Sequence, residues 1–254
     1  MPDDVLWDAA IHVYDDAYPR RAGLAVRLPH APISRYLASR GSGIGKVVLS
    51  QASAYGFDNS LLIDTLGTLS GKGRGIVVLP PTQSDAELRQ LHERGVRGVR
   101  FMMFEGGALG WDDVAPWAAQ AANMDWVLKF QLNSGQFHAR MPLLRTLLAK
   151  SIIDVYPGTL DLTAQTLDRL ADLLGQGRTW LSLTAPSAED TAFNAVVLDL
   201  INAYPHRCLW ASNWPSRMSE PRSPMETGAA WLADLVGEDR ARVVMMNAGQ
   251  LFGT

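Results

Sequence analysis

The feature that most constrains this chain is a regular alternation: eight short apolar runs, with helix-patterned stretches between them. The runs are Ala9–Val13, Lys46–Ser50, Gly75–Leu79, Val96–Met102, Trp126–Phe130, Ile152–Val155, Thr179–Leu183 and Cys208–Trp210. Most are rich in β-branched or bulky residues and lack in-out alternation, as expected of strands covered on both faces. Apolar spacing of three and four predicts helices over Asn59–Leu69, Asp85–Arg94, Asp112–Met124, Phe137–Leu148, Leu162–Leu174 and Ala188–Ala203. Ser84 with Glu87 reads as a capping box. Ser187 is a second candidate cap, with Asp190 in the first turn of its helix.

Strands alternating with helices imply a parallel sheet with crossover helices. Such a sheet is either open and doubly wound or closed. Eight units in 254 residues favour closure, since a (β/α)8 TIM barrel typically takes about 250. No linker-like stretch divides the chain, so residues 1–254 are read as one barrel domain. The Pro- and Ser-rich run Pro215–Pro224 follows the last strand and reads as a long loop on the active face.

Composition narrows the function classes. The formal net charge is −3, without the basic excess that nucleic acid or an anionic membrane surface would require. No apolar run approaches the ~18 residues of a membrane helix. The start, Met-Pro-Asp-Asp, lacks the pattern of a signal peptide, and the expected location is cytoplasmic. The single cysteine, Cys208, lies in an apolar run and reads as an inert buried thiol. A homo-oligomer is compatible with the sequence. The expected partner is a small molecule.

In a barrel of this kind, function sits where strands end and loops begin. His12, Ser53, Tyr55, Arg100, Gln131, Asp154, Tyr156, Ser182, Thr184 and Asn213 lie at or just beyond predicted strand ends. They set polar groups on top of an apolar core, the contrast a substrate pocket needs. The run Gly41–Lys46 is no phosphate loop, because it precedes a strand instead of following one.

At these strand ends the sequence resembles the amidohydrolase-related family, in its branch of pyrone-dicarboxylate lactonases and sugar-lactone hydrolases and isomerases. The resemblance rests on Asp8-Ala-Ala-Ile-His12, on Lys46 to Asn59, on Gly95-Val-Arg-Gly-Val-Arg-Phe101, on Trp180 to Pro186, on Cys208-Leu-Trp-Ala-Ser-Asn-Trp-Pro215, and on Asn247 to Phe252. Each motif is weak alone; their order and spacing along one chain carry the weight. The resemblance implies a barrel with a metal or a lactone site at its mouth.

The departures are as informative. Where the family opens with Asp-x-His-x-His, Ala10 replaces the first histidine and only His12 remains. Where the family has Ile-Asp-His, this chain has Ile153-Asp154-Val155. Its closing Thr-Asp-Trp-Pro appears as Ser212-Asn213-Trp214-Pro215, with an amide in place of the acid. Zinc takes about four N, S or O ligands; Ala10 and Val155 have no donor atom. No metal and no other cofactor is expected.

The reading that follows is a metal-independent lactone hydrolase or lactone isomerase for a small carboxylated cyclic ester. An unpaired arginine on a buried strand is costly, so Arg100 either pairs with an internal carboxylate or holds one on the substrate; the resemblance favours the substrate. His12, with Tyr55 or Asn213, would carry the chemistry, and Ser53, Gln131 and Tyr156 would contact substrate. Asp154 reads as structural or as a replacement base. Two other readings stand beside it: a catalytically inactive barrel that binds a small acid or a protein, and a decarboxylase, which ranks last because that chemistry usually relies on the missing metal.

Overall fold

In a computed structural model of the chain, eight strands pair in parallel in strict sequence order. They are β1 (Leu6–Ile11), β2 (Ile44–Ser50), β3 (Gly73–Val77), β4 (Val96–Met102), β5 (Val127–Gln131), β6 (Lys150–Val155), β7 (Thr179–Leu183) and β8 (Cys208–Trp210). Nine helices accompany them among the described residues: α1 (Ile33–Ser39), α2 (Ser60–Thr68), α3 (Asp85–Glu93), α4 (Val114–Met124), α5 (Ser134–Thr146), α6 (Ala164–Gly175), α7 (Thr191–Ala203), α8 (Pro224–Val236) and α9 (Glu238–Phe252). The structure describes residues 5–22, 28–40, 43–186, 189–215 and 224–253. None of the described helices is long and apolar enough to cross a membrane.

The (β/α)8 barrel expected from the alternation is the observed fold. β4, β7 and β8 fall where the apolar runs placed them. The Ser84–Glu87 capping box opens α3. Asp190, not Ser187, caps α7, its carboxylate accepting from the Phe193 amide; Ser187 lies outside the described residues, as do residues 216–223 of the loop after β8.

The barrel interior is layered. Trp7 and Ala9, Val48, Ile76, Val127, Ile152, Trp180 and Leu209 come from seven strands and gather in one buried cluster. Ala248, Leu251 and Phe252 of α9 join them, with the Phe252 ring stacked on Trp7 at 6.5 Å between centroids. β4 contributes Gly98 to this level, where a Cβ would fall 2.6 Å from both Cγ2 and the carbonyl oxygen of Val127. Two residues further along the strands, on the same inward side, the lining changes character. Gly98 gives way to Arg100, Val127 to Lys129, Ile152 to Asp154 and Trp180 to Ser182. All four of these polar side chains are buried.

β1 reaches this polar level by breaking its own alternation. The β1–β2 register shifts between Asp8 and Ile11, so inward positions pass from Trp7 and Ala9 to Ala10 and His12. Such an irregularity re-aims side chains beyond it. His12 faces the barrel mouth as a result.

β8 is only three residues long, and its continuation closes the ring. The His12 amide donates to the Trp214 carbonyl at 2.6 Å, and the Asn213 amide donates to the Ala10 carbonyl at 3.0 Å. Asp8 fastens the same seam from within. One carboxylate oxygen accepts from the Ser212 amide at 2.9 Å and the Ala10 amide at 3.3 Å. The other accepts from the Ser212 hydroxyl at 2.5 Å and the Tyr36 hydroxyl at 3.1 Å. Burial nevertheless pushes the Asp8 carboxyl up to about 6, against the pull of these donors.

Asp8→Ala strands the Tyr36 hydroxyl and the Ser212 amide in a dry interior. At about 1–3 kcal/mol for each buried group left unsatisfied, the expected loss of stability is roughly 3–5 kcal/mol. Urea unfolding measures it; a loss under about 1 kcal/mol means that the carboxylate does not hold the seam.

Candidate active site

The polar layer owes its composition to strand register. Arg100 on β4 stands opposite Lys129 on β5, and Met102 opposite Gln131. Lys129 is itself opposite Ile152 on β6, so its four-carbon chain climbs towards the mouth to meet Asp154. Asp154 in turn stands opposite Ser182 on β7. Together with Ala10, His12 and Asn213 from the seam, and with Gln131, Tyr156 and Thr184 above, these residues line a narrow pocket with room for about one water. It lies at the C-terminal ends of the strands, where such barrels do chemistry. A larger, shallower depression beside Pro205, His206 and Val236 lies by the start of β8, at the opposite end, and is set aside for that reason.

Arg100 is buried, with no carboxylate against it among the described residues. One terminal nitrogen donates to the Gln51 carbonyl at 2.8 Å and the other to Gln131 Oε1 at 2.5 Å. Nε is buried and finds no partner among the described residues. Gln131 passes the connection on, its amide nitrogen donating to the Tyr156 hydroxyl. Lys129 is paired with Asp154 and donates to the Ser182 hydroxyl at 3.3 Å. Burial lowers the Lys129 ammonium from its ordinary value, and Asp154 opposes that shift. With His12 neutral, the formal charge of the cluster is +1: two cations, Arg100 and Lys129, against the single carboxylate of Asp154.

His12 is held at both ring nitrogens. Nδ1 lies 2.9 Å from the Ser50 carbonyl oxygen and Nε2 lies 3.1 Å from Asn213 Oδ1. Desolvation, then the nearby Arg100 charge, depresses its pKa to about 4, with Lys129 adding to the effect. A neutral ring facing a carbonyl at Nδ1 must carry its proton there, which leaves a lone pair at Nε2. Asn213 satisfies that lone pair when its NH2 end faces the ring, the two ends of an amide being exchanged by a half-turn. Asn213 adopts φ +53°, a left-handed conformation that asparagine tolerates better than most residues.

Of the residues singled out from sequence, His12, Arg100, Gln131, Tyr156 and Asn213 converge on this cavity, and Ser53 and Tyr55 do not line it. Both belong to a 3-10 turn beyond β2. The Tyr55 hydroxyl is engaged by main chain, accepting from the Asp15 amide at 2.9 Å and donating to the Asp15 carbonyl at 3.2 Å. It braces the loop after β1 and has no hydrogen left to polarise a carbonyl. Lys129 is the residue that sequence reasoning missed. Its signal was present: a lysine inside the apolar run Trp126–Phe130, to which the argument made for Arg100 applies equally.

The donor set does not suit a divalent metal. Ala10 and Val155 contribute no ligand atom, Asn213 offers only a neutral amide, and Asp154 is engaged by Lys129. Among the described residues, no three His, Cys, Asp or Glu side chains gather in one place.

Comparisons with known proteins agree with this architecture. The chain is 25% identical to a 4-sulfomuconolactone hydrolase from Hydrogenophaga intermedia, over 97% of this chain and 88% of that protein. It is 22% identical to a D-galactarolactone isomerase from Agrobacterium fabrum, over 93% of this chain and 87% of that protein. A crystal structure of a probable 2-pyrone-4,6-dicarboxylic acid hydrolase from Acinetobacter baumannii, with citric acid bound, superposes with a TM-score of 0.83. It covers 98% of this chain and 99% of its own, at 17% identity, a likeness of fold. The amidohydrolase family model matches residues 7–254, and the chain belongs to that family.

Proposed function

We propose that this barrel is a metal-independent lactone hydrolase or lactone isomerase acting on a small carboxylated cyclic ester. The observation that carries the reading is Arg100: a buried guanidinium at the mouth, with no carboxylate partner among the described residues and with a buried Nε–H to spare. A carboxylate on the substrate supplies the missing acceptor and balances the excess positive charge, and the planar fork of arginine suits it. The names of the two relatives, a lactone hydrolase and a lactone isomerase, support an ester ring as the reacting group.

His12 is the proton acceptor in this scheme. As substrate enters, the Nε2 lone pair exchanges the Asn213 amide for the attacking oxygen and takes its proton; that oxygen belongs to water in a hydrolase and to the substrate's own hydroxyl in an isomerase. The new C–O bond forms as the proton leaves, the ring C–O bond breaks, and the imidazolium returns its proton to the departing alkoxide. A base of pKa about 4 is weak in the empty site. A carboxylate on Arg100 offsets one of the charges that depress it, so the ring becomes more basic as substrate arrives.

Arg100→Met tests the carboxylate site. Losing a hydrogen bond to a charged group costs roughly 1.5–3 kcal/mol, so KM for a carboxylated lactone should rise about tenfold or more. KM for a neutral lactone of the same size should hardly move. Equal KM changes for both refute the assignment. If the parent turns over no lactone yet binds small acids, the chain is a binding barrel and the enzymatic reading is lost.

A further inference from the structure

We infer that Lys129 is the group that polarises the lactone carbonyl, supplying from the protein the fixed positive charge that a metal ion would supply at a barrel mouth with a full ligand set. The inference rests on the lactone reading above and adds to it a catalytic residue that neither Arg100 nor His12 can replace.

The geometry is specific. An ammonium has three N–H donors. One goes to Asp154 and one to Ser182; the third has no protein partner among the described residues, and Lys129 lines the pocket. Asp154 and Ser182 arrive from the next two strands and fix the orientation of the head group, so little reorganisation is needed when charge develops. Arg100 and Lys129 are register partners on neighbouring strands. A substrate whose carboxylate lies on Arg100 therefore brings its ring carbonyl beside Lys129. His12 approaches from the seam across the cavity, on the side from which the attacking oxygen is deprotonated.

Asn213 does not compete for this role. Its side chain faces His12 from the β8 seam, away from β4 and β5 that carry Arg100 and Lys129, and Tyr55 is bound to the Asp15 main chain. A purely structural ion pair would account for Lys129–Asp154 alone. It would not account for the cation being set at the level of Arg100, lining the same pocket, beside a cation that has no carboxylate among the described residues.

The reaction needs no further component. As the attacking oxygen bonds to the carbonyl carbon, the carbonyl π electrons move to its oxygen, which accepts a stronger hydrogen bond from the Lys129 ammonium. When the ring C–O bond breaks, the electrons return and the ammonium keeps its proton.

The test is steady-state turnover of a carboxylated lactone by Lys129→Met and by the pair Lys129→Met/Asp154→Asn, which leaves no uncompensated carboxylate in the core. Removing an oxyanion donor typically lowers kcat by about 10²- to 10³-fold. The expected result is a loss of that size in kcat in a double variant that is folded by circular dichroism, with KM close to the parent's and citrate binding retained, since Arg100 is intact. The parent's rate should also fall at alkaline pH as Lys129 loses its proton, below the ordinary lysine range, because Arg100 and burial outweigh Asp154. In Lys129→Arg, a charge that does not titrate there should abolish that alkaline limb. Parent-like kcat in the folded double variant overturns the inference while leaving the Arg100 site standing. An acyl adduct on Lys129, a ring-opened amide read as a mass increase by the substrate's mass on that residue, also overturns it, because the amine would then be a nucleophile. Absence of lactone turnover by the parent overturns the lactone reading and this inference together.

Discussion

Asn213→Asp is expected to lower lactone turnover. The position faces His12 Nε2 at 3.1 Å, and an ionised carboxylate can only accept hydrogen bonds. It therefore calls for a proton on Nε2, while Ser50 already holds the proton on Nδ1. The ring becomes an imidazolium with no lone pair for the attacking oxygen, and its pKa rises from about 4. The new carboxylate, paired to that imidazolium, is a weaker base than a free one. It also cancels the net positive charge that draws an acid to Arg100. Loss of general-base assistance corresponds to about 10²- to 10⁴-fold in kcat. Kinetics on a carboxylated lactone, with NMR titration of the His12 ring, measures both consequences. A gain in hydrolysis would mean that the chain lacks an acid at this position and that His12 is not its base.

His12→Gln is expected to cost a similar about 10²- to 10⁴-fold in kcat, since glutamine can reproduce the two hydrogen bonds but not the proton transfer. The pH profile makes the assignment sharper. In the parent, kcat/KM reports the free enzyme, so its acid limb should lie near 4. The limb in kcat reports the complex and should lie higher, because the bound carboxylate masks Arg100. Both limbs should vanish in the variant. Stability should respond with the sign of a depressed base. The neutral ring contributes fully above its ordinary value of 6.5, and that contribution is lost as pH falls through about 4. His12→Gln should flatten this part of the acid-unfolding curve. An unchanged acid limb in kcat/KM would remove His12 from the reaction.

The barrel was legible because a strand buried on both faces has to be apolar along its length, and eight such runs leave little else to build. Strand starts were less so. β1, β2, β3 and β6 begin earlier than their apolar runs, with residues such as Gly73 and Lys150 at the barrel's lower rim. α1, α8 and α9 were not read; α1 is a single short segment after Pro32 with no side-chain cap. Within the site, Arg100 was found because it belongs to the Gly95–Phe101 motif, whereas Lys129, equally inside an apolar run, lies in none of the motifs that carry the resemblance. Tyr55 looked like a pocket residue from its place after β2, but the turn at Gly56, φ +54°, carries it towards Asp15. Whether a strand-end residue faces the mouth depends on the local register, and β1 shows how one irregularity reverses it.

The short β8 gives the two halves of the mouth different freedom to change. His12 and Asn213 hang from the same few peptide units that join the ring, next to the Asp8–Ser212 fastening, so variation there risks the fold along with the chemistry. Arg100 and Gln131 sit across the barrel within the β4–β5 ladder, and Tyr156 just beyond β6, all away from the seam. A library aimed at new substrates should therefore be confined to that far rim. The proton-handling edge would stay constant while the anion-reading edge is allowed to drift.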